Sequence, residues 1–154
     1  MAKFGKSNLS SIFLDTWGWL ALGNSNDPYH EIVKNLYLEI HQSSTVIYTS
    51  DYVLDELISL LFRRERFDKA STFVNSIFEA DSNGIIKIES ITIERFRSAW
   101  DLRIKYQDKP LISFTDLTSM FLMTELGITN ILTQDEHFIQ VGLGFLRIPF
   151  DIQV

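Results

Sequence analysis

Short apolar runs alternate with longer stretches of helical periodicity along most of the chain. Ile12 to Leu14 is an apolar run that ends on Asp15 and predicts a buried strand. A short helix through Trp17, Trp19 and Leu20 follows. Beyond the turn-forming segment Asn24 to Pro28, Ile32, Val33, Leu36 and Ile40 recur at helical spacing. Thr45 to Thr49 (TVIYT) is β-branched and aromatic and predicts a second strand. Ser50 is placed to cap the next helix, which carries Leu54, Leu57, Ile58 and Leu61. Another helix carries Phe67, Ala70, Phe73, Val74, Ile77 and Phe78. Asn83-Gly84 marks a turn into a strand over Ile85 to Ile88. Thr92 to Tyr106 predicts an amphipathic helix. A further helix starts near Thr115 and ends at Gly127, a residue suited to a left-handed cap. Ile128 to Thr133 predicts a strand, Asp135 to Ile139 a helical turn, and Phe145 to Ile148 the last strand.

This alternation predicts an α/β layer fold with a mostly parallel central sheet of four to five strands flanked by helices. At 154 residues the chain fits one domain, large enough to bury about 70% of its unfolded surface. Hydrophobic residues at 45% and charged ones at 22% are ordinary for a globular protein and argue against disorder. There is no cysteine, which excludes thiolate metal sites and a cysteine nucleophile. The N-terminal MAKFGKSNLSS lacks the apolar run of a signal peptide, and no stretch approaches the ~20 apolar residues that cross a bilayer. A cytoplasmic protein with no membrane partner is expected.

Net charge is −6, from 20 acids against 14 bases, which is not the footprint of a passive nucleic-acid binder. The excess matters differently if several acids share one site and a cation neutralises them. In open parallel sheets ligands bind beyond the carboxyl ends of the strands. Asp15 and Asp135 fall at such ends, and Asp116 opens a helix. Glu56 lies on the second turn of the helix after TVIYTS, near the same edge if the first two strands are neighbours. Each acid also has a plainer use. Asp15 fits a helix cap, and Ser113 to Asp116 and Thr133 to Glu136 both fit capping boxes. Helical geometry places Glu56 and Asp55 at opposite rims of one apolar arc, so periodicity does not choose between them.

The segments IFLDTWGWLAL, YTSDYVLDELISLL, SFTDLTSMFLMTELGI and ILTQDEHF, with an apolar tail holding Pro149, resemble the PIN-domain ribonucleases in order and spacing. The likeness spans about residues 11 to 150 and is strongest to the VapC-like toxins of type II toxin–antitoxin systems. It implies a PIN-like three-layer fold over residues 11–154, preceded by an extension, residues 1–10. It selects Asp15, Glu56, Asp116 and Asp135, with Phe138 after the last, as the catalytic and metal-holding set.

A metal-dependent endoribonuclease follows from this resemblance: phosphodiester hydrolysis by water activated on one or two Mg²⁺ or Mn²⁺ ions. Asp15, Asp116 and Asp135 are the foremost ligands, and Glu56 ligates, acts through water, or orients the attacking water. Thr16 and Thr115 are candidates to support the carboxylates by hydrogen bonds. Arg63, Arg64, Arg66 and Lys69, at the end of the Glu56 helix, are candidates to contact RNA phosphates. Arg95, Arg97, Arg103 and Lys105 are weaker ones. His30, His41 and His137 are too scattered for a zinc site and read as surface or structural residues. The resemblance also implies a homodimer and a cognate antitoxin. The apolar load of the first helices (Trp17, Trp19, Leu20, Leu22, Tyr29, Leu36, Tyr37, Leu38) supplies either a groove for such a partner or an ordinary core. The alternatives are a PIN nuclease of RNA processing and a catalytically silent PIN binding module.

Overall fold

The structure, a computed structural model, describes residues 9–151. Of the expected N-terminal extension, residues 1–8 lie outside the described residues. The elements run β1 (Ser11–Leu14), α1 (Thr16–Gly23), α2 (His30–Gln42), β2 (Val46–Ser50), α3 (Asp51–Arg64) and α4 (Phe67–Ser82). They continue with β3 (Ile86–Glu89), α5 (Ile93–Lys105), α6 (Phe114–Leu126), β4 (Asn130–Leu132), α7 (His137–Gln140) and β5 (Leu146–Ile148). The five strands form one sheet in the order β3-β2-β1-β4-β5, and every pairing is parallel.

The strand order explains the apolar runs. β1 lies at the centre, paired with β2 on one side and β4 on the other, so helices cover both of its faces. Ile12, Phe13 and Leu14 are accordingly all inaccessible to solvent, as expected for a central parallel strand. Strands β2 and β3 build outward on one side of β1, and β4 and β5 on the other. Order therefore reverses between β1 and β4, and the crevice at that reversal is where such sheets bind ligands.

Caps set most helix boundaries. Ser50 accepts from the Val53 amide at 3.1 Å and starts α3, and Thr92 accepts from the Arg95 amide and starts α5. Gly127 ends α6 at φ 70°, a left-handed turn that lets the Ile128 amide reach the Met123 carbonyl at 2.8 Å. That bond holds Ile128 in the cap, so β4 starts at Asn130 rather than at the expected Ile128. Ile85 is held in the same way by the Ala80 carbonyl, and β3 begins one residue later than expected.

One expectation is corrected, and one of two open readings is favoured. The capping box over Thr133 to Glu136 does not form: Glu136 makes no side-chain cap to α7. The Thr133 hydroxyl instead accepts from the Asp135 amide, and the Asp135 carboxylate accepts from the His137 amide at 2.8 Å. The apolar load of the first helices is mostly core, since Trp19, Leu20 and Leu36 are buried and Trp17, Leu22, Tyr29 and Tyr37 pack against them. Leu38 is exposed, and four other exposed apolar side chains form a stripe along α5: Ile93, Phe96, Trp100 and Ile104.

Candidate metal centre

Leu14 and Leu132 are paired in register, so the residues that follow them, Asp15 and Thr133, leave the sheet side by side. Thr49 tightens this corner from β2: its hydroxyl bonds the Leu14 carbonyl at 3.0 Å and accepts from the Trp19 indole at 3.0 Å. Asp15 caps α1, its carboxylate accepting from the Gly18 amide at 3.1 Å. It also faces a cleft of about 650 Å³ lined with Glu56, Asp116, Asp135 and Glu136. Capping and site geometry thus coincide in one carboxylate. Gly18 is required for this fit, because a Cβ there would stand 2.8 Å from the Leu132 carbonyl oxygen.

Asp116 reaches the cleft from the first turn of α6. Ser113 caps that helix by accepting from the Asp116 amide at 3.0 Å, which leaves the Asp116 carboxylate turned towards Asp15 and Asp135. The loop before it is set by Arg103, whose guanidinium bonds the carbonyls of Tyr106, Lys109 and Ile112 at 2.6–2.8 Å. Glu56 comes from α3, where Glu56, Leu60 and Arg64 share one face and all line the cleft. Asp55 is exposed and does not line it. The packing of α3 beside α1 makes the choice between them that periodicity could not.

Burial and neighbouring charge raise the proton affinity of Asp15 and Asp116. Burial pushes the Asp15 carboxyl from 3.8 up to about 7, and the charges of Asp135 and Glu56 add to it. Bonds from the Thr133 hydroxyl and the Gly18 amide act in the opposite direction. Burial likewise pushes Asp116 up to about 8, with Asp15, Asp135 and Glu56 adding and the Ser113 bond opposing. Without a counter-charge the cluster holds protons at neutral pH.

Sequence reasoning missed two residues here. Thr133 is fully buried; its hydroxyl bonds Asp15 and accepts from the Asp135 amide. His137, half-buried, stands beside the acids. Its Nδ1 stands 3.2 Å from Asp135 Oδ1 and 4.0 Å from Asp116 Oδ2. A search for histidine partners misses it because its neighbours are carboxylates, one of them from another helix. His30 is structural, Nδ1 meeting the Ala21 carbonyl at 2.8 Å, and His41 stacks on Tyr37 at the surface.

The remaining candidates divide. Thr16 lines the cleft and Thr115 does not; the Thr115 carbonyl accepts from the Thr118 hydroxyl. Of the basic group, Arg64 lines the cleft. Arg63 is exposed, Arg66 pairs with Asp68 at 3.3 Å, and Lys69 lines a separate shallow groove with Thr72 and Phe73. Arg95 is occupied by Glu89 and Glu125 and Arg103 by loop carbonyls, so both hold structure.

The PIN domain family model matches residues 12–143. The chain belongs to the PIN-domain family. This PIN domain is similar to the 23S rRNA-specific endonuclease VapC20 of two Mycobacterium tuberculosis strains, at 31% identity over 138 residues, covering 88% of this chain and 98% of the relative. It also resembles the crystal structure of Mycobacterium tuberculosis VapC20, described as a sarcin-ricin loop cleaving toxin. That match has a TM-score of 0.76 and 29% identity over 89% of this chain and 98% of the other. The PIN domain is thus of the VapC-like toxin branch, as the resemblance implied.

Proposed function

We propose that this PIN domain is a metal-dependent endoribonuclease, the toxin of a toxin–antitoxin pair, with Asp15, Glu56, Asp116 and Asp135 as its hydrolytic centre. One observation carries the reading: four acids from four separate segments line one cleft at the sheet's reversal point, two of them with carboxyls pushed up to about 7 and about 8. Such a cluster calls for a counter-charge at the carboxylates themselves. The donors fit a hard divalent cation, Mg²⁺ or Mn²⁺, since all four acids offer oxygen, and the buried Nδ1 of His137 beside them has no hydrogen-bond partner among the described residues.

A bound cation supplies charge that lowers the pKa of an attacking water and stabilises the phosphate oxygens. Asp15, Asp116 and Asp135 would hold it. Asp15 is the fixed anchor, its carboxylate oriented by Gly18 and Thr133. Glu56, half-buried in the same cleft, would accept a proton from the water or orient it. Arg64, two turns further along α3, is placed to hold an RNA phosphate in the same cleft. Arg63, Arg66 and Lys69 would contribute at longer range, and Thr16 would support Asp15 from the cleft wall.

RNA is the proposed substrate class, and ribosomal RNA the first to test, because the similar VapC20 proteins act on 23S rRNA. We further propose that residues 11–154 act as a unit in the cytoplasm; no described helix is long and apolar enough to cross a membrane. The α5 stripe supports a homodimer or antitoxin contact.

The test is cleavage of ribosomal RNA by purified protein with Mg²⁺ or Mn²⁺, with chelator, and by Asp15→Asn and Asp116→Asn variants whose folding is checked by circular dichroism. Chelation should abolish cleavage, and each variant should lose more than about 100-fold in rate. Folded, metal-supplied variants that cut as fast as the parent sink the reading.

A further inference from the structure

The four acids offer oxygen only, and oxygen donors serve Mg²⁺ and Mn²⁺ alike. His137 introduces a different donor. The turn that fixes Asp135 also aims the imidazole, because the His137 amide donates to Asp135 Oδ1 at 2.8 Å. The ring is then folded back with Nδ1 inward, buried and without a hydrogen-bond partner among the described residues. A buried ring nitrogen with nothing to bond is costly and calls for a partner.

Asp135 Oδ1 lies at 3.2 Å and Asp116 Oδ2 at 4.0 Å, ion-pair distances for a protonated ring but no hydrogen bond. Donor atoms of Asp116, Asp135 and His137 all fall within 4.8 Å of one another. Around an ion with bonds of about 2.0–2.1 Å, neighbouring octahedral ligands stand about 3 Å apart and opposite ones about 4 Å. The two separations from Nδ1, 3.2 Å to Asp135 and 4.0 Å to Asp116, lie close to a neighbouring and an opposite position of that frame.

We propose that His137 Nδ1 is a ligand of the cation, making the centre a mixed carboxylate–imidazole site that selects a first-row transition-metal dication over Mg²⁺. Imidazole nitrogen is a poor donor to Mg²⁺, which keeps carboxylates and waters, and a good one to the later divalent ions. This rests on the proposed function, in which Asp116 and Asp135 hold the cation. It adds which cation the site prefers and which residue sets the preference.

The experiment uses the full chain, stripped of metal and titrated calorimetrically with Mn²⁺ and with Mg²⁺, in the parent, His137→Gln and Asp116→Asn. The parent should bind Mn²⁺ the more tightly. His137→Gln should weaken Mn²⁺ binding by about 10-fold or more while changing Mg²⁺ binding little, so that the preference collapses. Asp116→Asn should weaken both. Pulsed electron paramagnetic resonance of the Mn²⁺-loaded parent should show coupling to a directly bound nitrogen, altered by ¹⁵N-histidine labelling and absent in His137→Gln. If Asp116→Asn loses both cations but His137→Gln keeps the parent's selectivity, or the parent shows no nitrogen coupling, the histidine ligand is wrong and the acid site stands. If the parent binds neither cation, both readings fall.

Discussion

Gly18 packs so closely on Leu132 that a Cβ added to it would stand 2.8 Å from the Leu132 carbonyl oxygen. The obstacle is strand backbone, which cannot swing aside as a side chain can. In Gly18→Ala the start of α1 must therefore move, and with it the amide that Asp15 accepts from. We expect a loss of about 1–3 kcal/mol in denaturant unfolding, together with weaker cation binding. A variant as stable and as tightly binding as the parent would show that the contact relaxes freely.

Thr133→Val keeps the shape of the side chain and removes its hydroxyl. The Asp135 amide then loses its acceptor and Asp15 its donor. Unsatisfied groups of this kind cost about 1–3 kcal/mol. Because the hydroxyl favours ionised Asp15, cation affinity near pH 7 should fall as well. Thr133→Ser should restore most of both quantities, measured by unfolding and by cation titration.

Stability should depend on pH with a sign set by the raised carboxyls. Asp15 and Asp116 ionise at the ordinary 3.8 when unfolded, but only at about 7 and about 8 in the fold. Between these values the folded state binds more protons than the unfolded one, so stability falls as pH rises. Full stability is present below about pH 4, as far as these two groups are concerned, and is lost progressively up to about pH 8. A bound cation replaces those protons. Calorimetry should register proton release on Mn²⁺ or Mg²⁺ binding, and thermal stabilisation by either ion should be larger at pH 8.5 than at pH 6. Equal stabilisation at both pH values would contradict the raised carboxyls.

Ser119 is buried on α6, and its hydroxyl has no partner among the described residues. Hydroxyls left unpaired in a core are destabilising by about 1–3 kcal/mol. Ser119→Ala removes the group and leaves a cavity of one atom, so the unfolding free energy should rise by about 1 kcal/mol. A decrease would show that the hydroxyl is paired in the folded protein.

Local signals carried most of the fold. The runs ending at Asp15 and following Gly127, the Ser50 and Thr92 caps and the Asn83-Gly84 turn all act through neighbours in sequence, and they mark the elements to within a few residues. The edges that moved, at β3 and β4, did so because Ile85 and Ile128 are claimed by the ends of the preceding helices. The family resemblance chose the acids, and their lining of one cleft is a separate, geometric fact.

Sequence alone determined the parallel α/β architecture and the strand-end positions of Asp15 and Asp135, because hydrophobic period and turn chemistry are properties of adjacent residues. The tertiary structure decided that Glu56 rather than Asp55 lines the cleft, that Arg64 joins it while Arg95 and Arg103 do not, and that Thr133 and His137 belong beside the acids. Those outcomes depend on strand register and on how α1, α3 and α6 meet. Contacts between segments tens of residues apart leave no periodic trace in the chain that makes them.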